Sequence, residues 1–299
     1  MEGIAGLLSG LRQARRRTLE ALAGLTEEQL EGQVRLPQGP ADVRYCLLSL
    51  AERDDGRRVA LAALYAALDW RPAEAARILA LAAEVHGQLC ALLLGVPPAD
   101  LDRAPGPDDW ALREVLAHVE QTGQRYLLHT AYAVERLSSA AELPLRIPAE
   151  RLPPTSPQVR PDEPLSAILE RMVALHDRLF DELSGLGEED LAAPTIWTTW
   201  QVDVRFRLYR FAAHARQHLV HAAKVLNAVG FRQSEAQMIL GQAESARGRL
   251  EGMLIGLPQA TARRAPSGGL PSVQALLEDG AHDEEATVDT ILRATSTTQ

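Results

Sequence analysis

Apolar residues recur at helical spacing along most of this chain, in long amphipathic runs broken by short polar turns. The turns read LTEEQL, VPPADL, LGEEDL and LPQA. Around each one the pattern is the same: a long amphipathic helix, the polar turn, an irregular stretch and a second long helix. In the first turn Thr26 and Gln29 have capping-box spacing, which closes one helix and opens a short new one. Four such helix-pair units are predicted, at about 4–68, 74–137, 165–228 and 235–294.

The units are related in sequence. Residues 168–299 lie over 7–138 without a gap, at a shift of about 161 positions and roughly a quarter identity, which marks an internal repeat. ALAGLTEEQL (21–30) falls on ELSGLGEEDL (182–191), and DVRYCLLSLA (42–51) on DVRFRLYRFA (203–212). Two helix pairs build one four-helix bundle, so four build two. No stretch dense in β-branched and aromatic residues is bounded by turns, and no sheet is expected. The fold class is all-α, with two bundles.

One long connection, 138–164, carries enough prolines to exclude a helix and favour extended backbone. It either links consecutive domains, 1–140 and 162–299, or crosses over inside one bundle. The second arrangement, favoured here, nests a central bundle at 74–229 within a second bundle assembled from 1–73 and 230–299.

Composition narrows the function classes. Aromatics make up 4% of the 299 residues, and the formal net charge of −9 with a pI near 5.4 argues against a nucleic-acid partner. Arg15, Arg16 and Arg17 read as a solvated helix face. No apolar run is expected to cross a membrane, and arginines following the apolar residues 4–11 reverse the order of a secretory signal. Cys46 and Cys90 fall in apolar helical patterns and are expected as buried thiols. A cytoplasmic protein, monomeric or homodimeric, is expected.

The candidate chemistry lies in FAAHARQHLVHAAKVL, residues 211–226, which holds three of the eight histidines. His214 and His218, spaced i and i+4, project from one helix face and can share a metal ion. His221 points toward a neighbouring face, and by itself reads as an ordinary histidine. In the second unit, DDWALREVLAHVEQTGQRYL carries Trp110, Arg113, Glu114 and His118. Over about residues 74–228, this pairing of W…REVLAH with HxxxH resembles the DinB-like, or YfiT-like, bundles.

The resemblance implies a divalent metal held by His118, His214 and His218. Three imidazoles leave an open coordination position and suit zinc best, with nickel or iron acceptable. It further implies a metal-dependent transferase of low-molecular-weight thiols, of the bacillithiol or mycothiol kind, acting on a small electrophile. A hydrolase, or a non-catalytic stress-related binding or scaffold protein, is the alternative. Ala215, Arg216 and Gln217 intervene between the paired histidines where the family often carries an acid, so no glutamate base of the HExxH kind is built in.

Tyr126, two turns after His118, and Arg210, one turn before His214, are the candidate catalytic residues. Tyr126 could donate a hydrogen bond. Arg210 could attract an anionic group, or be tied up in a salt bridge to a neighbouring helix. Trp110, Trp197 and Trp200 are expected to pack over the bundle end, while His129 and His176 read as ordinary histidines and His86 and His282 have no partner in the pattern. At a shift of 161, the metal positions of the nested outer bundle read Asp279, Arg53 and Arg57, which predicts an ion pair in place of a metal.

Overall fold

A computed structural model of the chain describes residues 4–36, 39–156 and 158–296; Pro157 and the extreme ends of the expected terminal bundle lie outside it. In chain order the elements are α1 (Ile4–Leu22), α2 (Glu27–Leu30), β1 (Gln33–Leu36), β2 (Gly39–Asp42), α3 (Val43–Ala67), α4 (Glu74–Leu93), α5 (Pro98–Leu101) and α6 (Leu112–Ser138). After a crossover containing a short 3-10 turn (Ala149–Arg151) come α7 (Leu165–Leu183), α8 (Glu188–Leu191), β3 (Pro194–Trp197) and β4 (Trp200–Asp203). The chain ends with α9 (Val204–Ala228), α10 (Glu235–Leu254), α11 (Gln259–Arg263) and α12 (Val273–Ser296). The second half repeats the element order of the first. The class is all-α.

Local chemistry sets the boundaries. Thr26 and Gln29 form the expected reciprocal cap of α2. Asp42 and Asp203 cap α3 and α9 by accepting from the backbone N–H of Tyr45 and Phe206.

Two antiparallel hairpins, β1–β2 and β3–β4, stand where only irregular backbone was expected. Each strand has four residues and two of them contain proline, too little to register as an alternating pattern. Helix α4 has the length and apolarity of a membrane span by composition alone, but half of that window is buried in the protein, as in a core helix.

The chain divides into two compact units: residues 1–71, 87–95 and 233–299, and residues 72–86 and 96–232. Residues 87–95 fall with the terminal segments rather than with 74–86. Gly87 is the reason, since a Cβ there would lie 2.8 Å from the Glu244 carbonyl and 2.9 Å from the Gly248 Cα, a helix approach that only glycine permits.

In the terminal-segment unit, α1, α3, α10 and α12 pack together around two apolar clusters. One holds Leu22, Leu47, Leu240 and Ile291, the other Leu11, Leu61, Leu250 and Leu277. Between them along each helix lies a layer of buried charge. Arg15, from α1, contacts Glu284 of α12 at 2.6 Å and Asp54 of α3 at 3.1 Å. Arg247, from α10, contacts the same two carboxylates at 2.8 and 3.0 Å, and Thr18 donates to Glu284.

Arg15 is therefore buried, at 3% exposure, whereas Arg16 and Arg17 face solvent as expected. Arg15 also reaches Glu244 at 3.3 Å, so both guanidiniums are surrounded by carboxylates, which is the condition for burying them. Arg57 extends the layer to Asp54 and to Asp283 at 3.0 Å, and Arg53 donates to Thr287 and to the Asp283 carbonyl. The expected ion pair exists, but its acid is Asp283. Asp279 is exposed and stands outside it. Being one helical turn nearer the C-terminus, Asp283 meets an Arg57 side chain that runs alongside Gly280.

In the central unit, α6 packs against α7 and α9. The proline-rich crossover is bound along one face of α6. Gln121 donates to the carbonyls of Pro154 and Ser156, Arg125 to Pro153, Tyr132 to Pro144 and Arg136 to Leu143. Extended proline-rich backbone leaves its carbonyls free, and this stripe of donors satisfies them.

Two outcomes are expected. Burial alone raises the Glu284 carboxyl, but Arg15 and Arg247 outweigh it and hold it down at about 2. Its stabilising contribution is thus complete above the ordinary glutamate range near pH 4.3 and is lost as pH falls towards 2. Glu284→Gln should cost about 3–5 kcal/mol at pH 7 and remove that part of the acid transition, read by circular dichroism. The double variant Gln121→Ala/Arg125→Ala should leave helicity unchanged while making the 139–164 segment the first site of limited proteolysis.

Candidate metal centre

Helix α6 begins just after Trp110, and two of the quoted motif residues act in starting it. The Glu114 carboxylate accepts from the Ala111 N–H at 2.8 Å. Arg113 holds Asp102, at the end of α5, through two hydrogen bonds of 2.6 and 2.9 Å and also donates to the carbonyls of Arg160 and Glu163 in the crossover. This ties the helix start to the crossover and fixes the direction in which His118, less than two turns later, points. On the other side, the Asp203 cap and the β3–β4 hairpin fix the start of α9 and so the register of His214 and His218.

The three histidines meet. The Nε2 atoms of His118 and His214 are 3.2 Å apart, although 96 residues separate them. Ring centroids lie at 4.6 Å for His118–His218 and 4.4 Å for His214–His218. One ring nitrogen from each lies within 4.8 Å of the other two, and all three rings are partly buried.

The donor set fits a divalent ion. Two nitrogens at about 2.0–2.1 Å from one tetrahedral zinc stand roughly 3.3 Å apart, close to the His118–His214 spacing. The Nδ1 of His218 is buried without a hydrogen-bond partner among the described residues. Burial lowers all three imidazole pKa values. His214 is pushed down to about 3, with His218, His118 and Arg210 adding to the effect of burial, and His218 to about 4, with His118 and His221 adding to it. His118 is lowered by burial and by His221. The imidazoles are therefore neutral at pH 7, the form that donates to a metal.

Aromatic rings flank the cluster. Trp110 lies 5.2 Å from His118 and 5.9 Å from His221, which itself is 5.8 Å from His218. Tyr126 sits 5.6 Å from the His214 ring, edge-on, between Trp197 at 5.2 Å and Phe211 at 5.6 Å. Burial raises the Tyr126 phenol, with Arg210 and Arg207 opposing, so it keeps its proton at neutral pH. Trp110 borders the cluster and Trp197 stands behind it against Tyr126, while Trp200 is 69% exposed.

The Arg210 guanidinium lies over the Trp197 ring, 5.1 Å from its centre. Its Nε is buried and unpartnered among the described residues, and the salt bridge to a neighbouring helix is not formed. A second pair was not foreseen: His86 and His176 stack at 4.4 Å, with the His176 Nδ1 2.8 Å from the Met172 carbonyl. The repeat held the signal, since a shift of 161 places these histidines over Arg247 and Arg15 of the charge layer.

Residues 83–222 match the DinB superfamily. This part of the chain is a DinB-superfamily domain. No curated protein and no solved structure matches the chain. The matched stretch contains all three clustered histidines, both flanking tryptophans and the whole crossover, so this DinB-like domain includes every part of the candidate site.

Metal analysis checks the donor set. The purified chain should carry about one divalent ion, and His118→Ala, His214→Ala or His218→Ala should each weaken its retention at least about tenfold. Asp279→Ala should leave the metal content unchanged.

Proposed function

We propose that this DinB-like domain is a metal-dependent S-transferase, joining a low-molecular-weight thiol to a small electrophile in the cytoplasm, where thiols are kept reduced. The cluster of three partly buried histidines carries the reading. His118, His214 and His218 hold the ion, with zinc the first choice for an all-imidazole set and nickel or iron next. A divalent ion held there would lower the pKa of a bound thiol and so supply a thiolate nucleophile at neutral pH.

The remaining steps belong to the chain's own side chains. Tyr126, protonated and adjacent to His214, donates a hydrogen bond to the electrophile and offers a proton to its leaving group. Trp110 packs against His118, and Trp197 and Phe211 pack against Tyr126, giving these groups apolar surroundings. His221 and Arg210 add positive charge beside the three histidines, and among the described residues no carboxylate pairs with any of the three.

Thiol consumption with a panel of epoxides, alkyl halides and activated alkenes tests the reading. The zinc-loaded chain should consume thiol, the chelated chain and His214→Ala should not, and Tyr126→Phe should lower kcat by about ten- to a hundredfold with little change in metal content. A metal-loaded chain inert toward every pair of thiol and electrophile would overturn the transferase reading and leave the hydrolase and the binding or scaffold roles.

A further inference from the structure

The two units treat buried arginine differently. In the unit built from the terminal segments, Arg15, Arg57 and Arg247 each contact at least one carboxylate. In the central unit, beside the histidine cluster, Arg207 is 2% exposed and donates only to neutral oxygens, the Thr195 hydroxyl at 3.1 Å and the Ile196 carbonyl. Arg210, one turn closer to His214, lies on Trp197 with its Nε buried and unpartnered among the described residues.

Two guanidiniums without a carboxylate, next to three imidazoles whose ion adds further positive charge, leave this corner with uncompensated cationic charge in a low-dielectric setting. Such an arrangement is costly unless an anion completes it. Arg207 is enclosed by the hairpin and cannot supply the contact. The Arg210 guanidinium is partly exposed, planar, held from one side by an indole ring and within reach of the Tyr126 hydroxyl.

We propose that Arg210, backed by Trp197, is the seat of a carboxylate carried by one of the two reacting molecules, so that the site selects acidic substrates. This rests on the thiol-transfer reading for which molecule brings the carboxylate, but the anion seat itself can be tested separately. The carboxylate accepts from the partly exposed guanidinium of Arg210 and is thereby placed one helical turn from His214, which orients the reacting end of the same molecule toward the cluster. Arg210 acts by binding and transfers no proton.

Calorimetric titration of the full chain, with and without zinc, tests this with 3-mercaptopropionate, its methyl ester and propionate. The acid should bind about ten- to a hundredfold more tightly than the ester, the range of a charge-assisted hydrogen-bonded pair. Arg210→Gln should abolish that preference and Arg210→Lys retain part of it, with helicity checked by circular dichroism. Chloroacetate compared with chloroacetamide, each competing with propionate, shows whether the electrophile can supply the carboxylate instead of the thiol, and a preference in either arm supports the seat.

Equal affinity for acid and ester together with equal competition by chloroacetate and chloroacetamide would overturn the proposal. So would a preference that survives Arg210→Gln, since a merely structural arginine does not set that ratio. If Arg210→Gln fails to fold, the wild-type ratios and Arg210→Lys still decide. If no thiol is consumed with any electrophile, yet propionate binds the wild type and not Arg210→Gln, the transferase reading fails and the anion seat stands.

Discussion

The Nε2 atoms of His118 and His214 lie 3.2 Å apart, and the central unit is organised around closing that gap between segments 96 residues apart. Imidazoles this close and this deeply placed must be neutral, since a proton on one would meet its neighbours and Arg210 in a desolvated setting. Holding them there requires two helix starts and one crossover to be fixed at once. Glu114 and Arg113 fix the first helix, Asp203 and the short hairpin fix the second, and the donors along α6 keep the proline-rich strand from drifting away. The residues of the motif that never touch a ligand are therefore as necessary to the site as the histidines.

The other unit solves a related problem with different chemistry. There a set of paired guanidiniums and carboxylates spans the bundle between two apolar clusters. At the repeat shift, His214 and His218 fall on Arg53 and Arg57, and His176 and His86 fall on Arg15 and Arg247. The acids of the charge layer, Asp54 and Glu284, fall on Ala215 and Gly123. One half of the chain carries matched charges that neutralise one another, while the other carries uncharged imidazoles together with cations that lack carboxylates. Only the second arrangement brings three neutral donors together for a metal.

The long helices were legible because amphipathic spacing over many turns is a strong signal, and the prolines of 138–164 announced the crossover. The pair His214 and His218 was legible from spacing, and His118 only through the DinB-like motif. The hairpins were not legible, since four residues with a proline show no alternation. Nor was the burial of Arg15, whose partners Asp54 and Glu284 lie 39 and 269 positions away, so that the run of arginines looks like an ordinary solvated face. The stacking of Arg210 on Trp197 depends on the hairpin and was hidden with it.

The order of segments in the terminal-segment unit has a consequence for how the chain is made. Helices α1 and α3 leave the ribosome first, yet their partners α10 and α12 are the last long helices to appear. At ordinary translation speeds the interval between Ala67 and Glu235 lasts on the order of ten to thirty seconds. Throughout it, Arg15 and Asp54 lack the counter-charges on Arg247 and Glu284, and the leucines beside them lack a covering surface. The central unit is synthesised and can close in that interval, while the nascent N-terminal helices remain sticky and open to chaperone binding.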